Sequence, residues 1–597
     1  MVVGGGLYFR DSILWSNQTR PPPNIWKKHT VSSPSSLKKE VDLVVVGAGA
    51  GGMTAAVMGT LAGLDVLLCE GTEQVGGTTA TAAGTIWVPN NNLGKAAGFE
   101  DSLEEGMRYL DGLVPSGELR RLREVYLESG PRIIDDIVRR TQVKFMAAGK
   151  HPDYVDIPGS RVAGRALAPL PFDGRLLGKE FHRIRPPMKE FMVLGGMMVG
   201  KADIGHLLGR FHSWASFKHS AGLVLRYVSD RLRHARGTRL VMGNALVARL
   251  FASLRDAGTA IAFGAQIESL LKDGERVTGA RFKLSTGELV EVKARRGVVL
   301  ATGGIGRNPV LRKQWMAPGH DRWPSLIFEG NQGGGVRAAE LAGAAIDARP
   351  GGAGVLWQPV SVTQDAKGGT GLFPHLFLDR AKPGLIAVDS AGLRFTNEGA
   401  SYHYFCEDMI RRHATTPAIP AWLICDAAFV EKYGLGLIHP GTTNLKPHVR
   451  SGYLHVGDTL DALARSIGVD ADGLKDSVAR NNAYALTGVD SDYGKGATEV
   501  SRFNGDPDHQ PNPCLGPIAQ APFCAMALWP GDAAADAGLA TNENGQVLDA
   551  EGQPIAGLYA CGNDAASLMR GTYPGPGATI GPAMVFGYRA AMHAAGT

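Results

Sequence analysis

The chain holds 597 residues, 44% of them apolar, with a net charge of +5 at pH 7. That length exceeds one ordinary core and predicts two or more globular domains; it excludes a disordered or collagen-like chain, since the 80 glycines follow no period. Six cysteines, Cys69, Cys406, Cys425, Cys514, Cys524 and Cys561, lack a CxxC pair or a regular spacing, so neither a disulfide framework nor a zinc site is indicated. Reduced thiols in a soluble cytoplasmic protein are expected, with no metal and no nucleic acid partner.

Residues 1–40 contain "RPPPN" and "SSPSS" without a continuous apolar run or a twin arginine, and they read as a flexible leader. Order is expected from 41. "VDLVVVGAGAGGMTAAVMGTLAGLDVLLCEG" reads as a buried strand, a glycine turn, a helix and a second strand ending at Glu70. Gly47, Gly49 and Gly52 form G-x-G-x-x-G in that context, and Glu70 follows 23 positions after the first glycine, where an acid takes ribose hydroxyls. Gly47 makes the turn, Gly49 admits the pyrophosphate, and Gly52 brings the helix onto the sheet; N–H groups of the helix start, around Ala50 and Gly51, hold the phosphate charge. "EQVGGTTATAAGTIWVP", 73–89, then supplies a second small-residue loop at Gly77, with hydroxyls on Thr78 and Thr79.

The run 181–240 carries eleven Lys or Arg against three Asp or Glu, a local balance of +8. It also carries apolar clusters, "FMVLGGMMVG" and "AGLVLRYVSDRLRH". Such an insertion fits peripheral contact with an anionic membrane face, and it fits equally a helical insertion packed on its own domain. No apolar run reaches the roughly 18 residues that span a bilayer. His206, His212, His219 and His234 lack metal-ligand spacing and read as surface residues.

Farther on, "RRGVVLATGGIGRNP" is an apolar strand running into Ala301, Thr302 and Gly303, and "GLYACGND" places another strand before Gly562 and Asn563. Near the end, in "TYPGPGATIGPAMVFGY" at 572–588, a tyrosine leads a stiff Pro-Gly-Pro-Gly turn into an amphipathic helix expected over 578–595. Glycine-rich contacts this far apart in sequence suit an extended FAD lying across a domain.

With those residues the chain resembles the flavoproteins of the fumarate reductase and succinate dehydrogenase group over most of 41–597. The resemblance implies an α/β protein: a discontinuous Rossmann-like FAD-binding domain, 41–307 plus 529–597, with an inserted α+β catalytic (substrate) domain, 308–528, closing over the isoalloxazine. Contacts to FAD would come from the first fingerprint, from the loops named above, and from Gly577, Thr579 and Ile580. The histidine that attaches flavin covalently in succinate dehydrogenase has no counterpart in "GGTTATAAG", so FAD is expected to be non-covalent.

Three strings, "HPDYVDIPGSRVAGRALAPLPFD" at 151–173, "GLRFTNEGASYHYF" at 392–405 and "GTYPGPGATIGPAM" at 571–584, are similar in content and order to those of 3-ketosteroid Δ1-dehydrogenases. The glycine-histidine motif of dicarboxylate reductases before the last helix is absent. The resemblance implies 1,2-desaturation of ring A, with a proton leaving C2 to a tyrosine and a hydride leaving C1 for flavin N5. It places the base at Tyr402, with Tyr404 as the nearby competitor, and a helper at Tyr154. The O–H of Tyr573 and the N–H of Gly577 would grip the C3 oxygen as charge grows there, preorganised by Pro574 and Pro576. An unperturbed phenol is only about one part in a thousand ionised at pH 7; a hydrogen bond from Tyr154 is expected to favour the Tyr402 phenolate, and Arg394 is a further source of positive potential. The implied partners are a 3-ketosteroid and a quinone or other electron acceptor. Alternatives are Δ4-(5α)-dehydrogenation, a fumarate-reductase-like activity, or a non-catalytic membrane-associated flavoprotein.

Overall fold

The computed structural model describes residues 38–348, 355–364 and 369–597; of the expected leader, 1–37 lies outside them. The first sheet grows from the apolar run after 40. Glu40–Val46 pairs in parallel with Val66–Glu70 on one side and with Leu289–Leu300 on the other. Ala260–Phe263 extends the sheet beyond Val66–Glu70, and Pro554–Ala560 joins Leu289–Leu300 from near the C terminus. Val41, Leu43, Val44 and Val45 are all fully buried, as befits a parallel strand covered on both faces. The helix Ala50–Leu61 packs on the last helix, Ile580–Ala595. They cross closely because both present bare backbone: a Cβ on Gly587 would stand 2.5 Å from the carbonyl oxygen of Gly51. The last helix starts at Ile580 rather than 578, with Thr579 as its N-cap.

The second sheet is antiparallel. Its central strand, Phe523–Ala535, pairs with Val355–Gln364 along one part of its length and with Ala421–Asp426 along another. Thr370–Pro374 and Ile386–Val388 extend the two sides. The expected boundary between 528 and 529 falls inside this central strand, which stays in the second sheet as far as Ala535, paired with Val355. The helix Tyr402–His413 packs against Val355–Gln364.

The insertion at 181–240 is a helical hairpin on a narrow base. Phe172–Asp173 pairs with Arg239–Leu240 where the chain leaves and returns. Between them, Lys201–Leu208 packs on Trp214–Arg231, and "FMVLGGMMVG" folds into the short strand pair Met192–Val193 and Met197–Met198. Buried Asp203 ties the hairpin together by accepting from Arg239 at 2.9 Å and pairing with His219 at 2.9 Å. His206 and His234 are half-buried rather than surface residues: the His206 ring lies 4.5 Å from that of His219, and His234 meets Phe181 edge-on. Among the described residues no helix is long and apolar enough to cross a membrane.

Candidate active site

One cavity of about 2550 Å³ runs between the two sheets and out beneath the insertion. Its first part is walled by the glycine-rich loops: Gly47, Gly49, Ala50, Gly51, Glu70, Gly77, Thr78, Thr79, Ala301, Thr302, Gly303, Gly562, Asn563, Gly577, Thr579 and Ile580 all line it. Gly52 does not. It faces the strand side, where a Cβ would stand 1.9 Å from the Gly47 carbonyl oxygen, so its part is helix-to-sheet packing. Gly47 itself has φ +102°, and a Cβ there would collide with the Ala301 carbonyl.

The wall fits a dinucleotide. A Cβ on Gly77 would meet nothing within 4 Å, and one on Gly49 would meet only the Thr79 hydroxyl at 4.0 Å. Bare backbone thus faces open space at the N-terminus of the helix Ala50–Leu61, where the helix dipole favours a phosphate. Glu70 is buried; its carboxylate accepts from the N–H of Ala48 at 2.9 Å and from the N–H and hydroxyl of Thr72 at 3.0 and 2.8 Å. Burial pushes its pKa up against those hydrogen bonds. Asp564, fully buried and one residue past the expected contacts, clips two distant loops together: it accepts from the hydroxyl of Thr302 at 2.9 Å and from the N–H of Gly304 at 2.8 Å. Its place beside "CGN" was the only sequence signal for it.

Farther in, three tyrosines from three separate segments meet. Tyr154, Tyr402 and Tyr573 all line the cavity and are buried. The Tyr154 hydroxyl donates to that of Tyr402 at 3.1 Å. Ring centroids lie 5.2 Å apart for Tyr154 and Tyr402, and 5.4 Å apart for each of their pairings with Tyr573. Tyr402 is the first residue of its helix and faces the cavity; Tyr404 does not line it, and its hydroxyl instead accepts from the backbone N–H of Tyr573 at 3.4 Å.

The turn that carries Tyr573 is bolted to Tyr154. The Pro574 carbonyl accepts from the Tyr154 N–H at 2.9 Å and from the Tyr109 hydroxyl at 2.7 Å. Gly577, at φ +95°, lies so close to Thr85 that a Cβ would stand 2.1 Å from its carbonyl oxygen. Behind Tyr154 runs a polar network with no sequence signature: Trp87 Nε1 donates to Asp153 at 2.7 Å, and the buried Arg165 bridges Asp153 at 2.7 Å and Asp101 at 2.8 Å. Burial pushes the Asp153 carboxyl up to about 6, against the pull of Arg165.

The electrostatics of the trio correct one expectation. Burial pushes the Tyr402 and Tyr154 phenols well above the ordinary tyrosine range, and the neighbouring phenols add to the rise at Tyr402. Tyr573 is raised by burial too, eased by hydrogen bonding with Tyr402 and with the Gly577 N–H. Tyr154 alone therefore does not supply a phenolate, because it is itself a buried, neutral neighbour. Nor does Arg394: its guanidinium is committed to Glu398 at 2.8 Å and Asp490 at 2.9 Å. The substrate domain adds the segment 374–382, which the sequence reading passed over. There Phe377 packs edge-on to Tyr402 with centroids 5.8 Å apart, and His375 bridges Asp379 at 2.6 Å and Ser361 at 2.8 Å.

Beyond the tyrosines much of the wall is apolar, with Met192, Met197, Phe373, Leu376, Phe377 and Leu437. The cations along it are engaged: Arg239 with Asp203, Lys432 with Asp506 at 3.0 Å, Lys382 with the Gly505 carbonyl at 2.6 Å, and Arg210 with the Leu207 carbonyl at 2.8 Å.

Comparison with known proteins places this architecture. Residues 42–580 match the FAD binding domain family. The chain is 39% identical to 4-oxocyclohex-2-ene-1-carboxylate 5-dehydrogenase of Sinomonas cyclohexanicum, over 94% of this chain and 95% of that one. It is 35% identical to 3-oxosteroid 1-dehydrogenase of Mycobacterium tuberculosis, over 93% and 98%. The crystal structure of 3-ketosteroid Δ1-dehydrogenase from Sterolibacterium denitrificans, in complex with 1,4-androstadiene-3,17-dione, superposes with a TM-score of 0.85 at 35% identity, covering 94% of this chain and all of that one. The chain therefore belongs to the FAD binding domain family and, within it, to the FAD-dependent dehydrogenases that include 3-oxosteroid 1-dehydrogenase.

Proposed function

We propose that the protein desaturates the C1–C2 bond of ring A in 3-ketosteroids. The observation that carries this reading is the convergence of Tyr154, Tyr402, Tyr573 and the Gly577 N–H at one place in a largely apolar cavity. Tyr573 and Gly577 are the donors for the C3 oxygen, on which negative charge grows as C2 loses its proton. Tyr402 is the base at C2, and Tyr154 passes the proton on from its oxygen. The loops described above would hold FAD non-covalently, and the cofactor would supply the acceptor for the hydride that leaves C1. Substrate is oriented by the turn 573–577, and the apolar walls exclude water from the acidified carbon.

The relative of highest identity cited above is named for a ring ketone that bears a carboxylate, which makes that substrate class the second reading. The cavity favours the steroid. Two of its lining cations, Arg239 and Lys432, are paired with carboxylates, and its volume far exceeds the roughly 300–1,000 Å³ of a single-ligand pocket, leaving room beside the cofactor for a large apolar body. The test is an anaerobic visible spectrum of the purified protein before and after a 3-keto-4-ene steroid, with the product's structure determined. Bleaching with a 1,4-diene-3-one product is expected. Bleaching instead by a saturated 3-keto-5α-steroid, with a 4-ene-3-one product, would favour the Δ4 activity, and bleaching by 4-oxocyclohex-2-ene-1-carboxylate alone would favour the keto acid.

The same reading extends to how such a substrate arrives. Leu208 and Phe211 both line the cavity and face solvent, and Trp214, Leu225, Val228 and Leu232 continue the exposed apolar surface outward. Arg210, Lys218, Arg231 and Arg233 are exposed around it. Apolar side chains ringed by cations suit the face of an anionic bilayer, with the cavity mouth at the lipid. Replacing Trp214, Leu225 and Leu232, which are exposed and do not line the cavity, by serine should abolish co-sedimentation with phosphatidylserine vesicles while turnover of a short, soluble 3-ketosteroid stays within about twofold of the original. Unchanged sedimentation would refute the membrane face. The electron acceptor that reoxidises the flavin, a quinone in this reading, fits the same lipid setting.

A further inference from the structure

The three phenols are buried together and raised together, so a base at Tyr402 needs a positive charge that the trio does not contain. Arg380 is the cation built into that place. It is 3% exposed, and the hydrogen bonds described for its guanidinium all end on backbone carbonyls. Nε donates to His375 at 2.8 Å; one terminal nitrogen donates to Glu398 at 2.9 Å and Ala400 at 3.3 Å, the other to Leu376 at 3.4 Å and Ala400 at 3.3 Å. The carbonyls of 398 and 400 directly precede the helix whose first residue is Tyr402. One turn into that helix, Phe405 presents its ring face 4.7 Å from the guanidinium carbon.

The two carboxylates near Arg380, Asp379 and Glu398, favour its charge, but their side-chain hydrogen bonds go to groups other than the guanidinium; Asp379 accepts from the Arg380 backbone N–H at 2.8 Å. Asp379 pairs with His375 at 2.6 Å and accepts from the Gly436 N–H at 3.1 Å. Glu398 is held by Arg394 at 2.8 Å, accepts from the Ala387 N–H at 3.0 Å, and lies 3.7 Å from Lys495. The other titratable groups that face Arg380 are Cys406, Tyr402 and Tyr154. A guanidinium keeps its proton even when buried, so its positive potential persists at every working pH. It acts alongside the positive end of the 12-residue helix Tyr402–His413.

We propose that Arg380 is the positioning residue that lets Tyr402 serve as the base: it fixes the 398–400 segment and sets a buried positive charge, whose guanidinium hydrogen bonds go to carbonyls, beside the start of the Tyr402 helix. The proposal rests on the reading of Tyr402 given above. When Tyr402 takes the C2 proton its negative charge is discharged and Arg380 is unchanged, so the arginine stabilises the reactant phenolate without exchanging a proton itself.

The test separates the two readings. The FAD-loaded full chain is produced with 3-fluorotyrosine in place of tyrosine, and the Tyr402 fluorine resonance is identified by its loss in Tyr402→Phe. Its titration is then compared in the unaltered arginine protein, Arg380→Gln and Arg380→Lys. Glutamine keeps amide donors for the carbonyls without the charge; lysine keeps the charge. In Arg380→Gln the Tyr402 ionisation should move up by at least about one pH unit, a tenfold loss of phenolate at fixed pH, and Arg380→Lys should recover most of it. In parallel, the rate of anaerobic flavin reduction by a 3-keto-4-ene steroid should fall tenfold or more at neutral pH in Arg380→Gln and recover as the pH rises. An unshifted Tyr402 titration in Arg380→Gln overturns the proposal whether or not steroid reduces the flavin. A rate lowered equally at every pH overturns it too, leaving Arg380 as a brace for the loop. If Arg380→Gln does not retain FAD, Arg380→Met and Arg380→Lys carry the same comparison. Failure of steroid to reduce the unaltered protein counts against the substrate reading alone.

Discussion

Tyr402→Phe is expected to purify yellow, to bind a 3-ketosteroid, and to reduce its flavin about 10² to 10⁴ times more slowly, the usual span for losing a positioned general base. The fold should tolerate the change because the ring, not the hydroxyl, makes the packing contacts with Phe377 and Tyr573. Only the oxygen that accepts from Tyr154 is removed. Stopped-flow reduction under anaerobic conditions reads the chemical step directly, and an intact visible spectrum shows that the cofactor is in place. Near-normal reduction would move the base elsewhere, and Tyr404 would not be its successor: that side chain does not line the cavity, and its hydroxyl accepts from the Tyr573 N–H.

Tyr573→Phe should fail differently. Its hydroxyl is a donor to the ketone in the ground state and, more strongly, to the oxyanion that follows, so both affinity and rate should suffer. A loss of about 10² to 10³ in the reductive rate is expected, the cost of one oxyanion donor, together with a raised dissociation constant for substrate measured by flavin difference spectra. The remaining Gly577 N–H should keep the reaction measurable. Loss of rate with unchanged affinity would make Tyr573 a transition-state donor only, whereas loss of affinity alone would remove it from the chemistry.

The first strand, helix and second strand were legible in the sequence because a parallel strand buried on both faces leaves an unbroken apolar run, and because a turn at Gly47 that collides with any Cβ admits few residues. The three tyrosines were legible only through their surrounding strings, since a phenol carries no spacing signal of its own. Arg380 and Asp564 were not found for a physical reason: each works largely through backbone groups, carbonyls for Arg380 and amides for Asp564. Such partners leave no trace in side-chain patterns. The network of Trp87, Asp153 and Arg165 was hidden similarly, its members scattered over some eighty positions and joined only by the fold. Arg394 drew attention by lying eight residues before Tyr402, yet its neighbours Glu398 and Asp490 neutralise it. Sequence distance measured the wrong thing there, and the charge that matters approaches from a different loop.

The Pro574 carbonyl, gripped by Tyr109 and by the backbone of Tyr154, makes Tyr154 and Tyr573 one solid piece. Tyr402 rides on the other lobe, and its hydroxyl meets that piece through the 3.1 Å contact with Tyr154 and through its hydrogen bonding with Tyr573. The arrangement is an interlock. Should the lobes part to admit or release a steroid, the oxyanion donors would stay set while the base lost its outlet, so the circuit for proton export closes only when the two halves of the molecule are seated together.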